Sequence, residues 1–325
     1  MGKLKTVAHA RITGLLAAVA FIFAPYPSPA AAAAEELPAW PGGDGTEIGG
    51  SGRPDGLDRK FEPSGAVWHP RLQQLLVVDD EGHLARLDGK GSVIDVVLIG
   101  GDLEGITLAD PDSSLVYLGI EHPDSIAEFD LQTGKLTGQR WDLTAVMRGH
   151  RKCGLEGLTF VDGLFYAGHQ CEANIYVFEL LADGRVNHVD TLEAKDESGL
   201  SGLHWDAKTK TLYSIYASLG LMVERTASGE PLRRYALKGM DAEGVAMIPR
   251  CPGNSATLFI ADDSAGIWRY DDYPIDCPHP LWGPKSAVLA GLIMAMILLI
   301  LRLHSPRRRR GATPSGPEAD VGNAD

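Results

Sequence analysis

The stretch Cys153–Cys171, "CGLEGLTFVDGLFYAGHQC", has the residues of a β-hairpin and one feature at odds with a hairpin. Thr159, Phe160, Phe165 and Tyr166 favour strands, and Asp162-Gly163 is a two-residue hairpin turn. The first strand nevertheless opens with Glu156-Gly157, an acid depleted in strands followed by a residue that weakens them.

The same opening recurs along the chain, as "PSGAVW" (63–68), "LEGITL" (103–108), "LEGLTF" (155–160), "LSGLHW" (200–205) and "AEGVAM" (242–247). The shared glycines, Gly65, Gly105, Gly157, Gly202 and Gly244, are 40, 52, 45 and 42 residues apart. Behind each copy come a turn, a second strand pattern such as "QLLVVDD" (74–80) or "TLFIADD" (257–263), a third such as "SIAEFD" (125–130), and usually a weaker fourth. Four strands every 40–50 residues predict an all-β fold, a β-propeller of five four-stranded blades. The fifth repeat shows no outer strand before Cys277. "GLDRKFE" (56–62), just ahead of the first motif, is the segment expected to supply it and close the ring.

In a propeller the first strand of each blade lines the central channel, where glycine tolerates close backbone approach. The residues before the glycines, Ser64, Glu104, Glu156, Ser201 and Glu243, should then form a ring at one mouth. Second strands run back toward that mouth and end on Asp79 and Asp80, Glu121 and His122, His169 and Gln170, Tyr216, and Asp262 and Asp263. Glu104, Glu121, Glu156, Glu243 and Asp262 are the candidate metal ligands. Ser64, Asp79, His169, Ser201 and Tyr216 are candidate ligand-binding groups. Clustered carboxylates repel unless a cation or protons offset the charge, and an all-oxygen donor set suits Ca²⁺. The competing expectation is structural: Glu and Ser cap the strand starts and bond neighbouring blades.

With these motifs on the page, "PSGAVWHPRLQQLLVVDDEGHLARLD", "DLEGITL" and "YLGIEHPDSIAEFDLQTGKL" resemble the SdiA-regulated (YjiK-like) bacterial proteins, over roughly residues 55–272. Related motifs occur in NHL-like and esterase-like phytase propellers. The resemblance implies a five-bladed propeller with a calcium site near the channel, in an exported protein. Glu104 and Glu121 match the family pattern best, Glu156 and Glu243 match its first element, and His169 stands where an acid is commoner.

The chain's 325 residues carry a net charge of −13. Residues 1–34 read as a secretory signal, with Lys3, Lys5 and Arg11 before the apolar run 12–24 and small residues near Ala34. Residues 285–303 read as a single transmembrane helix built on "SAVLAGLIMAMILLIL" (286–301), with Trp282 suited to the interface. Arg307–Arg310 behind it place the tail, 304–325, in the cytoplasm and everything before it outside. The expected order is therefore a linker (35–54), the propeller (55–277), a juxtamembrane segment (278–284) and the anchor, in an inner-membrane protein facing the periplasm or exterior. The exported part holds 21 basic and 40 acidic residues, a net of −19, which excludes nucleic acid as a partner. Cys153, Cys171, Cys251 and Cys277 all lie in it, where disulfides persist. The hairpin turn sets Cys153 one position short of facing Cys171, which favours Cys153–Cys171 and leaves Cys251–Cys277. No CxxC pair suggests zinc.

Two functions follow. One is a membrane-tethered, calcium-binding scaffold or binding module whose acidic mouth takes a cationic ligand or protein partner. The other is a metal-assisted hydrolase of phosphoesters, lactones or glycosides using the same carboxylates. No nucleophile elbow, P-loop or HExxH motif is present to identify a catalytic residue. Trp68 and Trp205 share one repeat position and read as inter-blade core, while His188 and His204 have no evident role.

Overall fold

Tight antiparallel hairpins build every blade. A computed structural model of the chain describes residues 37–48, 56–58, 60–148, 152–194, 197–237, 241–264 and 266–278, with Met294, Met296 and Ile297. The predicted signal, the tail and the predicted anchor lie outside the described residues, apart from those last three, which are helical and exposed. Among the described residues no helix is long and apolar enough to cross a membrane.

A short strand, β1 (Thr46–Glu47), comes first. Blade one is β2 (Pro63–His69), β3 (Gln74–Asp79), β4 (His83–Asp88) and β5 (Val93–Leu98). Blade two is β6 (Asp102–Thr107), β7 (Leu115–Glu121), β8 (Ser125–Asp130) and β9 (Lys135–Asp142). A single turn of helix, α1 (Thr144–Met147), accounts for part of the longest repeat and buries Met147. Blade three is β10 (Leu155–Val161), β11 (Leu164–His169), β12 (Ile175–Leu180) and β13 (Val186–Leu192). Blade four is β14 (Leu200–Asp206), β15 (Thr211–Tyr216), β16 (Leu221–Arg225) and β17 (Pro231–Ala236). Blade five has β18 (Ala242–Arg250), β19 (Ser255–Asp262) and β20 (Gly266–Pro274), and takes β1 as its fourth strand. The protein is a five-bladed propeller with four antiparallel strands per blade.

The closing strand is not the predicted one. Thr46 pairs with Arg269 and Glu47 with Trp268, so the outer strand of blade five comes from inside the predicted linker, ahead of 56–62. The reason is distance: outer and inner strands of a blade are separated by about 14 Å, three strand spacings. Residues 56–62 run directly into the inner strand β2 and have no room for that crossing. Phe61 is instead buried between blades one and five, together with Ile48.

The core is divided into five apolar clusters, and each lies between two adjacent blades. One joins blades one and two, through Leu76, Val78, Leu103 and Leu118. Others join blades two and three around Trp141 and Phe178, three and four around Tyr166 and Trp205, four and five around Tyr213 and Tyr273, and five and one around Phe259 and Trp68. Each fully buried aliphatic or aromatic side chain contributes roughly 1.5–3 kcal/mol, so no blade is stable without its neighbours. Trp68 stacks on Phe259 of blade five at 6.2 Å, in keeping with its expected core role. The outer strands face water and alternate, as β5 does with Ile94, Val96 and Leu98 exposed. Disulfides join Cys153 to Cys171 and Cys251 to Cys277.

Candidate functional site

The Glu-Gly openings are β-bulges. In every blade the first two strands change register on either side of the residue before the glycine: between Pro63 and Gly65, Leu103 and Gly105, Leu155 and Gly157, Leu200 and Gly202, and Ala242 and Gly244. The skipped residues are Ser64, Glu104, Glu156, Ser201 and Glu243. A bulged residue has no cross-strand partner, and the kink re-aims its side chain.

The glycines pack on one another around the axis. A Cβ on Gly65 would come to 2.9 Å from the Gly105 Cα, and one on Gly105 to 2.8 Å from the Leu158 amide nitrogen. One on Gly157 would meet the Leu203 nitrogen at 3.0 Å, and one on Gly244 the Ser64 oxygen at 2.6 Å. The remaining axial space is about 10 Å³, barely one water, so the channel is closed at this level.

Above that plug, one carboxylate oxygen from each of Glu104, Glu156 and Glu243 lies within 4.8 Å of the others. Glu104 and Glu156 are buried and Glu243 nearly so. Burial, then the neighbouring carboxylates, raises the pKa of all three, and Glu243 reaches about 8. Among the described residues no lysine or arginine forms an ion pair with any of them. No described cationic side chain offsets the charge, which leaves protons or a bound cation to do so.

Glu121, expected in the same set, belongs to an adjoining cluster with Asp102 and His122. Its Oε2 is 2.6 Å from His122 Nδ1, its Oε1 is buried without a partner, and burial lifts its pKa to about 7. Asp102 links the clusters, because its carboxylate is also one of the neighbours that raise the Glu104 pKa. The remaining candidates have local duties, and Tyr216 is buried in the core between blades three and four. The Asp79 carboxylate accepts from the His83 amide and ring, and Asp262 accepts from the Asp241 amide at 3.1 Å and the Ser264 hydroxyl at 2.9 Å. His169 Nδ1 accepts from the Glu172 amide, and Tyr216 Oη accepts from Arg225. Ser201 donates to the Ala242 carbonyl of the next blade at 2.8 Å, and Ser64 to the Glu62 carbonyl. For the serines, the expected bonding of strand starts and neighbouring blades is what the structure shows.

Sequence reasoning did not find Asp102 or Asp124. Asp124 is buried, accepts from the Leu155 amide at 2.9 Å across the blade boundary, and keeps its Oδ2 unpaired. Asp102 stands three residues before its motif glycine, where Glu62 and Asp241 are also acidic but Gly154 and Gly199 are not, so the signal was partial; Asp124 lies outside the shared motif.

No family model matches the chain, and no curated protein matches it. Among solved structures, the chain is similar to the glutaminyl cyclase of Myxococcus xanthus, with a TM-score of 0.52 and 12% identity over 67% of this chain and 93% of that one. At that identity the likeness speaks to the fold alone, and the shared fold is the β-propeller.

Proposed function

We propose that the protein is an exported, membrane-tethered binding or scaffold module whose carboxylate mouth takes a Ca²⁺ ion. One observation carries the reading: two buried glutamates from blades two and three and a half-buried one from blade five converge within 4.8 Å, with no cationic side chain paired to them among the described residues. The donor set fits the ion. Calcium takes 6–8 oxygens at about 2.3–2.6 Å, mono- or bidentate, with waters completing the shell, and needs no preset angle. Kinship with the SdiA-regulated proteins is part of the same proposal and rests on the quoted motifs.

Ile275 donates to the carbonyl of Asn254, in the turn at the far end of β18 from Glu243, and Cys277 is bonded to Cys251 of that turn. The described chain therefore ends on the side opposite the carboxylates.

Calorimetric and melting titrations of residues 35–284 with CaCl₂ test the ion: saturable heat and a raised midpoint are expected, and a flat titration with an unmoved midpoint sinks it. Alkaline carbonate extraction tests the tether separately, since a peripheral protein is released. A hydrolase is the second reading, favoured by Glu121, whose pKa near 7 suits proton transfer at neutral pH. Turnover of an ester, lactone, phosphoester or glycoside that is lost in Glu121→Gln would establish it. The likeness to a glutaminyl cyclase adds no argument for that activity here.

A further inference from the structure

The end of the channel away from the carboxylates opens into a second cavity, of about 300 Å³. The closing ends of the inner strands of four blades line it, with Trp68 from blade one, Leu108 from blade two, Phe160 from blade three, and His204 and Trp205 from blade four. The glycine plug lies between the two mouths, so a molecule in this cavity has no contact with the acidic one. Its size and aromatic lining are those of a small-molecule site, where a few polar groups set the orientation.

The polar side chains on the lining residues are those of Thr107, Thr159, Asp162 and His204, with the unpartnered Trp205 indole N–H. Thr159 already accepts from the Trp205 amide and Asp162 is paired with Lys210, and His204 is the one on which the proposal turns. His204 borders the cavity, its ring lies 6.2 Å from that of Tyr213, and it makes no hydrogen bond among the described residues. Burial lowers its pKa to about 4, so at neutral pH it is an uncharged imidazole offering one N–H donor and one lone pair. The nearby Asp206 is occupied: its carboxylate accepts from the Lys208 and Thr209 amides and the Thr209 hydroxyl. Charges at the rim are likewise spent on each other. The Lys210 ammonium stands 5.6 Å from the Trp205 ring centroid and bonds the Asp162 carboxylate at 2.9 Å. A cationic ligand would have to displace Lys210 from that ring, and an anionic one would meet Asp162 and a neutral imidazole. A neutral ligand meets neither obstacle.

We propose that this cavity binds a small, flat, uncharged molecule of the phenol or indole class, its ring among Trp68, Phe160 and Trp205 and its single O–H or N–H at His204. The reading is independent of the metal site. Full-length protein is titrated with phenol and with toluene, followed by tryptophan fluorescence and ligand-observed NMR. Saturable phenol binding with a Kd of about 1 mM or tighter is expected for a ligand of this size. His204→Ala should weaken phenol about tenfold, the loss of one hydrogen bond, and leave toluene unchanged. Toluene binding also shows that the variant is folded, and His204→Gln, with its own donor and acceptor, should recover most of the phenol affinity. Phe160→Ala should weaken both ligands and Glu156→Gln neither. The proposal is overturned by the absence of saturation, by phenol binding that ignores His204→Ala, or by phenol binding that responds to Glu156→Gln.

Discussion

Leu155 faces His169 across the first hairpin of blade three, whereas Gly157, two residues on, faces Gly168. Glu156 is the residue passed over, and the one-position slip it introduces carries Cys153 opposite Cys171, with Cα atoms 5.8 Å apart. The disulfide depends on the bulge. Closing a loop of this length removes entropy from the unfolded chain worth about 3 kcal/mol. Urea unfolding of the Cys153→Ser/Cys171→Ser pair should show a loss of about that size, and an unchanged midpoint would mean that the crosslink contributes nothing.

The glycine plug tolerates no added carbon. At Gly202 a Cβ would press on the Glu243 carbonyl and come to 3.3 Å from the Gly244 Cα, both backbone atoms of the next blade. Gly202→Ala should cost about 3 kcal/mol or more, or prevent ring closure altogether. Gly89→Ala is the control, since Gly89 is exposed and its added carbon meets only Trp68 at 3.6 Å; it should stay within about 0.5 kcal/mol of wild type. Equal losses at the two sites would remove the steric explanation.

The carboxylate mouth makes stability pH-dependent in an unusual direction. Glu104, Glu121, Glu156 and Glu243 have native pKa values above the ordinary 4.5, so the folded state holds more protons than the unfolded one. Their contribution is complete below about pH 4.5 and is lost as pH rises through the raised values, from about 7 for Glu121 and about 8 for Glu243 to about 9 for Glu104 and about 10 for Glu156. In chelator, the melting midpoint should therefore fall steadily between about pH 5 and pH 9. Glu156→Gln, which cannot ionise, should flatten the slope, and CaCl₂ should restore the midpoint at the alkaline end in wild type only. A midpoint that rises over this interval in chelator would contradict the raised pKa values.

Ring closure by the N-terminal segment gives the fourth test. Trp40 packs edge-on against Tyr235 at 6.3 Å and Tyr270 at 5.2 Å, and tilted against Tyr273 at 5.5 Å, beside the short pairing of β1 with β20. Trp40→Ala should cost about 2 kcal/mol, less than a fully buried aromatic. Removing residues 1–48 should leave the edge of β20 unpaired and drive association, read by light scattering. A truncated chain that stays monomeric with an unchanged midpoint would show that β1 is dispensable.

Much of this architecture was legible in the sequence because a propeller repeats its instructions. Gly105, Gly157 and Gly202 mark the same structural position three times over, and neither alternation nor turn residues had to be read in isolation. The closing strand was not legible, because Thr46 and Glu47 form two ladder pairs and carry no strand pattern of their own. The site was half legible. The motif named Glu104, Glu156 and Glu243 because they share a bulge, but it could not say that the ends of the second strands would be engaged by their own turns, as Asp79 is by His83. Asp102 is revealed by facing Glu121 across the first hairpin of blade two, and Asp124 only by the packing of blade two on blade three. His204 looked inert along the chain, and its setting became visible only when four blades met around it.

The bulge separates two kinds of information that most strands must carry together. Ladder partners such as Leu103 and Ile120 hold the blade, while the passed-over residue between Leu103 and Gly105 is exempt from pairing. Five such exempt positions surround one axis, currently spelling Ser, Glu, Glu, Ser, Glu. Each blade thus contributes one interchangeable letter to a five-letter word read at the mouth, and rewriting the word leaves the ring's ladders as they are.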